Sequence, residues 1–249
     1  MIHDAFETLG ALGINRKAGA RLYTCEHASN RVPRPFRPRP SDRRLLAMHW
    51  GYDIGAANVT RALVQRDPGS WAVLSRFSRL LIDPNRDPAD PTAILCACDD
   101  GAPTFNRSAG PGHSAEHHVT DGRVRRFHEP FHEALVSAVS AGPRVLISVH
   151  SFTPVFRGQV RAMEAGVLFD QHDDLALRLV ETMRAAGFRT EANEPYSGKA
   201  GLIYSAARHG GGARIPYLEI ELRQDLIASS RSASKVAARI GRALDAAGL

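Results

Sequence analysis

Residues 144–156 read RVLISVHSFTPVF. Val145, Leu146, Ile147 and Val149 form a short aliphatic and β-branched run, set between Gly142-Pro143 and Pro154. A run of this length and composition, closed by turn residues at both ends, reads as a buried strand of an α/β sheet. It empties into His150-Ser151. Open α/β sheets bind ligands outside the carboxyl ends of their strands, so an imidazole at this point is placed for chemistry.

Working outward, the strand signal alternates with helix signals. Arg21–His27 (RLYTCEH) gives a strand over Leu22–Cys25 with Glu26-His27 at its end, and Ala28-Ser29-Asn30 then turn the chain. Prolines 33, 35, 38 and 40 exclude regular structure until Ser41-Asp42, which could cap a helix running to about His49. A second helix is expected from about Asp53 to Val64, on the spacing of Ile54, Ala57, Val59, Leu63 and Val64. Strands follow at Trp71–Leu74 and Leu80–Ile82, the latter emptying into Asp83-Pro84-Asn85-Arg86, a stiff polar loop. Residues 91–120 are irregular and hold His113, His117 and His118, which marks a long functional loop or a disordered one. An amphipathic helix is expected over Arg123–Ala141, a strand over Gly166–Phe169, a helix over Asp173–Ala186, a strand in IPYLEIEL (215–222) and a helix over Ser230–Ala247. This alternation predicts an α/β fold: a single three-layer α/β/α domain over residues 1–249 with a central, largely parallel sheet.

Composition narrows the function. At 249 residues and 43% hydrophobic, the chain can bury a large core. No apolar run is long enough to span a membrane, and the acidic start MIHDAFETLG lacks the pattern of an export signal. Three cysteines make no disulfide framework, which fits a reducing cytoplasm, and Cys96-Ala-Cys98 lacks a zinc-knuckle spacing. The net charge of +6 comes from arginines spread along the chain, apart from a modest group at 31–44, without a nucleic-acid motif. Expected partners are therefore a small molecule, with no nucleic acid and no membrane.

Two histidines at strand ends, His27 and His150, with acids nearby, point to a metal site. Catalytic zinc takes three nitrogen or oxygen ligands and leaves a position for water. A carboxylate third ligand could come from Asp53, at the start of the second expected helix. Glu26 competes, but it adjoins His27 and in a strand would face the other way; His49 is expected inside a helix. A metal-activated water needs a general base. Glu219 and Glu221 share one face of an apolar strand, and Glu221, nearer its end, is preferred as the base. The combined reading is a mononuclear zinc (Zn2+) hydrolase.

The ordered set CEHASN (25–30), YDIGA (52–56), IDPNR (82–86), EPFHEAL (129–135), SVHSF (148–152), NEPYSG (193–198) and EIELRQDLI (219–227) resembles the N-formylglutamate amidohydrolase family. The resemblance implies a zinc-exopeptidase-like fold and hydrolysis of the amide of a small N-acyl amino acid such as N-formylglutamate, a step of histidine degradation. Carried over by position, His27 and His150 match histidine ligands and Glu221 the catalytic glutamate. Asn85-Arg86 looks like the pair that holds a substrate carboxylate in aspartoacylase-like enzymes, with Arg223 and His209 as further substrate-binding candidates. One departure is Asn30, which stands where carboxypeptidase-like relatives carry a ligand glutamate; the similarity to cell-wall amidases that hold zinc with His, acid and His then implies Asp53 as the third ligand. Competing expectations are an amidase acting on a peptidoglycan-type or N-acetyl substrate, a hydrolase using Cys25, and a basic binding protein without activity. For Arg86 the structural alternative is pairing with Asp83, Asp87 or Asp90.

Overall fold

The computed structural model describes residues 3–10, 20–98, 101–106 and 122–249. Its strands are β1 (Phe6–Gly10), β2 (Arg21–Cys25), β3 (Trp71–Ser75), β4 (Val145–Phe152), β5 (Val155–Phe156), β6 (Gln159–Val160), β7 (Ala165–Leu168), β8 (Thr190–Ala192) and β9 (Tyr217–Arg223). β4, the strand first recognised in sequence, is buried along its whole length. It lies at the centre of a seven-stranded sheet of order β1-β3-β2-β4-β9-β7-β8. The four strands β3, β2, β4 and β9 run parallel. The edges are mixed: β1 is antiparallel to β3, and β7 is antiparallel to β9. β5 and β6 form a separate hairpin.

The helices are α1 (Asp42–Leu46), α2 (Ala56–Arg66), α3 (Glu129–Val139), α4 (Asp173–Ala185) and α5 (Ser230–Ala246). Adjacent strand residues point to opposite faces, and the two core clusters follow this alternation. Ile147 and Ile220 join Leu63 of α2, Met183 of α4 and Ile240 of α5 on one face. Leu146 and Tyr217 join Phe131 and Leu135 of α3 on the other. The result is the expected three-layer α/β/α arrangement with a mostly parallel sheet. Truncating a side chain such as Ile147 to alanine would cost about 2–5 kcal/mol by removing buried apolar contacts. Among the described residues, no helix is long and apolar enough to cross a membrane.

Several expectations are corrected. Leu80–Ile82 is not a strand: Leu81 N–H closes a turn onto Ser78 O at 2.8 Å, and the apolar run is buried as a turn. β1 and β8 are edge strands that lack a clear apolar run. The helix expected to reach His49 stops at Leu46, and no side chain caps its start: Asp42, in the first turn, accepts instead from Arg39 N–H ahead of the helix at 2.6 Å. α2 begins at Ala56 rather than Asp53, because Gly55 adopts φ +86° just ahead of it. A Cβ on Gly55 would meet Ile227 O at 2.3 Å, so the turn that delivers Asp53 requires glycine. Residues His113, His117 and His118 lie outside the described residues.

Candidate active site

The site sits where β2, β4 and β9 end. β4 and β9 are aligned so that Ser148 faces Glu219 and His150 faces Glu221. Val149 and Ile220 enter the helix-covered core beneath α2 and α5. His150, Glu219 and Glu221 therefore share the opposite face, as the strand alternation predicted. His27 follows β2 in a turn, and its carbonyl accepts Asp53 N–H at 2.9 Å, which ties the segment before α2 to the strand end.

The three residues proposed as ligands converge. His150 Nδ1 lies 2.8 Å from Asp53 Oδ2, and His27 Nδ1 lies 3.4 Å from Asp53 Oδ1. The two imidazoles meet edge to face with centroids 4.7 Å apart. All three side chains are buried, and their donor atoms lie within 4.8 Å of one another, a group that can hold a metal ion. His27 Nδ1 is buried with no hydrogen-bond partner. Each ring is held from its far side by a carboxylate: His27 Nε2 by Asp83 Oδ1 at 2.7 Å, and His150 Nε2 by Glu26 Oε2 at 3.0 Å. Carboxylates in that position fix the tautomer and orientation of metal-binding histidines.

Glu26 thus corrects the sequence argument. It was expected to face away from His27. It keeps the alternation of Leu22 and Thr24, which pair with Leu146 and Ser148 of β4, and so lies on the face of His150; His27, in the turn after β2, is the residue that leaves the alternation and comes round to that face. The Glu26 carboxylate accepts from Ser148 Oγ at 2.6 Å and joins the site. Cys25, by contrast, is buried in the helix-side core, and burial raises its thiol pKa, so it presents no thiolate for nucleophilic attack. Neither Cys96 nor Cys98 belongs to a metal-donor group among the described residues.

Charge at the site is one-sided. Glu26, Asp53, Asp83, Glu219 and Glu221 are all buried, with Arg79 as the guanidinium set among them. Burial opposes ionisation of Asp53, but the charges and hydrogen bonds of His27 and His150 outweigh it and hold Asp53 below the usual carboxylate range. Burial would depress His150, yet Glu219, Asp53 and Glu26 raise it well above an ordinary imidazole. Burial lifts Glu219 to about 7 and Glu221 well above its normal range. Such a concentration of buried carboxylates suits a divalent cation. Close donor atoms of His150, Glu219 and Glu221 form a second overlapping group.

The two glutamates differ in their ties. Asn85 Nδ2 donates to Glu219 Oε2 at 3.3 Å, and Asn85 Oδ1 is itself anchored by Ser205 N–H at 2.9 Å. Glu221 Oε2 is buried without a partner.

A cavity of about 460 Å³ opens over these groups, with Asn85, Arg86 and Arg79 in its wall. Arg79 grips Asp83 Oδ2 through Nε at 3.1 Å and Nη2 at 2.6 Å. Arg86 is held more loosely, with its nearest carboxylate oxygens on Asp83 and Asp90 at 3.6 Å. The structure does not bring Arg223 or His209 into the cavity wall. Arg223 is tied to Asp225 at 2.8 Å and to the carbonyls of residues 161–163. His209 lies against His132, ring nitrogens 2.7 Å apart. Because His132 Nε2 must donate to Pro84 O at 3.1 Å, its Nδ1 accepts from His209 Nε2. His128, one turn before His132, donates to Arg86 O at 3.0 Å. These histidines clamp the loop that carries Asp83, Asn85 and Arg86. His49 lines the cavity beside Trp50.

Comparisons with known proteins bear on the family and the fold. Residues 20–228 match the family model described as N-formylglutamate amidohydrolase. A gene product of Agrobacterium tumefaciens with a crystal structure is 27% identical, with a TM-score of 0.82 over 98% of this chain and 96% of that one. The crystal structure of N-formylglutamate amidohydrolase from Ralstonia eutropha JMP134 superposes with a TM-score of 0.70 at 19% identity, covering 99% of this chain and 98% of that one. No functionally curated protein matches the chain.

Proposed function

The chain belongs to the N-formylglutamate amidohydrolase family and is a hydrolase acting on amides; from that premise we propose that it is a zinc enzyme that cleaves a small N-acyl amino acid, N-formyl compounds first. The observation that supports the metal is the convergence of His27 Nδ1 and His150 Nδ1 on Asp53, each ring braced behind by a carboxylate. His27, Asp53 and His150 would hold the ion. When bound, zinc lowers the pKa of a water toward about 7 and polarises the amide carbonyl.

The protein's own groups do the rest. Arg86 pairs with the substrate carboxylate through parallel hydrogen bonds, which fixes the amide over the strand ends. Glu221, buried and unpartnered, accepts the proton of the attacking water and passes it to the departing amine nitrogen. Its raised affinity for protons favours the first of these transfers, from the water. Glu219, held by Asn85, stays 3.5 Å from His150 Nε2 and adds negative charge beside the cation site.

The test is a screen of N-formyl and N-acetyl amino acids with zinc-loaded protein, paired with metal analysis. Turnover that chelation abolishes and zinc restores supports the reading. Stoichiometric zinc with no turnover of any N-acyl amino acid would overturn it.

A further inference from the structure

We infer that the side-chain end of this cavity takes an apolar or aromatic group, so that the substrate is the N-acyl derivative of a monocarboxylic amino acid such as phenylalanine or leucine rather than glutamate. The inference rests on the amide-hydrolase reading above and specifies its substrate.

The first argument is charge. A substrate built on glutamate brings two carboxylates into the cavity, and each needs a cation. Among the described residues, the arginines in the wall are Arg79 and Arg86, and no lysine accompanies them. Arg79 is already committed to Asp83 and lies 3.7 Å from Asp53. Arg86 is the looser of the two, its side chain 30% exposed, and it suits the α-carboxylate. A second substrate carboxylate would find Asp87 and Asp90 in the same wall. Removing a carboxylate from water without a partner, beside like charges, is costly.

The second argument is surface. The wall also carries Trp50, Leu95, Phe156, Tyr196 and Leu202. Tyr196 and Leu202, 37% and 38% exposed, both line the cavity. Arg161 braces the rings of Phe156 and Tyr196, its guanidinium 4.7 Å and 5.4 Å from their centroids. An aromatic wall of this kind gains from covering a substrate side chain that is itself apolar.

The experiment uses the zinc-loaded full chain and two readouts. Calorimetry ranks the binding of N-formylphenylalanine, N-formylleucine, N-formylglutamate and N-formylaspartate to the Glu221→Gln protein, and turnover is measured on wild type. Tighter binding of the apolar pair than of the acidic pair, by about tenfold or more, is expected. Leu202→Arg, which adds a cation to an exposed part of the wall, should shift that ratio toward glutamate by a similar factor. Tyr196→Ala should weaken the phenylalanine compound more than the glutamate one. Preferential binding of the acidic compounds by the unmodified wall, or a ratio indifferent to both wall substitutions, overturns the inference and leaves amide hydrolysis standing. Apolar-selective binding with no turnover of any compound keeps the inference about the pocket and sinks the enzymatic reading instead.

Discussion

Asp83 holds the far nitrogen of His27 at 2.7 Å, leaving Nδ1 as the imidazole atom turned toward Asp53. In the proposed metal site the carboxylate is thereby a positioning group for His27. Asp83→Ala should keep the fold but lower zinc affinity by about 10–100-fold, the usual effect of losing such a brace. Competition with a chromophoric chelator measures this. Unchanged affinity would mean that Asp83 serves only to tie Arg79.

Glu221 and Glu219 separate by substitution. Glu221→Gln should retain zinc and lose about 10²-fold or more in kcat, the scale of a positioned acid–base group. Glu219→Gln keeps a side chain that can still pair with Asn85 and should lose less. If the larger loss in kcat falls on Glu219→Gln, the base is Glu219.

Arg86 is tested by its conservative replacement. Arg86→Lys keeps the charge and loses the two-pronged grip, so kcat/KM should fall about tenfold or more, roughly 1.4 kcal/mol. An amide-capped substrate without the α-carboxylate should be poor for wild type and little worse for the variant. Equal losses on both substrates would reduce Arg86 to a partner of Asp83 and Asp90.

The histidine clamp predicts a pH dependence of stability. Burial, aided by the positive charge of Arg208, depresses His209 to about 4, and burial also lowers His128 and His132. In the unfolded chain these imidazoles titrate near 6.5. Between those values the unfolded state binds more protons than the folded one, so stability falls as pH drops from about 6.5 toward 4. His209 alone should contribute on the order of 3 kcal/mol to that loss. Denaturant unfolding of wild type and His209→Asn over pH 7 to 4 checks it: the stability difference between them should narrow as pH falls. A constant gap would remove His209 from the effect.

Much of the centre was legible because strand ends leave a signature. His150 and the Glu219–Glu221 pair could be placed from an apolar run with period-two interruptions, and the structure sets them on one face. Glu26 escapes the alternation argument because His27, not Glu26, leaves it: the turn after β2 brings His27 to the face that Glu26 shares with Ser148 and His150. Arg79 and Asp83 were hard to see because their work is mutual: an ion pair four residues apart, in a buried turn that composition presents as a strand. His128 and His132 sit on an amphipathic helix, where histidines are ordinary; only the Pro84 and Arg86 carbonyls opposite them reveal the clamp. Arg223 follows two glutamates in β9, yet lies at the strand's end where Asp225 captures it.

The pairing of β4 with β9 also limits how this gene can drift. Deleting or inserting one residue within β9 would exchange the places of Glu219 and Glu221 with those of Ile220 and Leu222. Two carboxylates would enter the aliphatic layer under α2 and α5, and two aliphatic side chains would face His27, Asp53 and His150. Point substitutions in this strand are graded in effect, whereas a one-codon frame slip there is all or none. Length variation in the lineage is therefore expected to gather in the connecting loops and to spare β9.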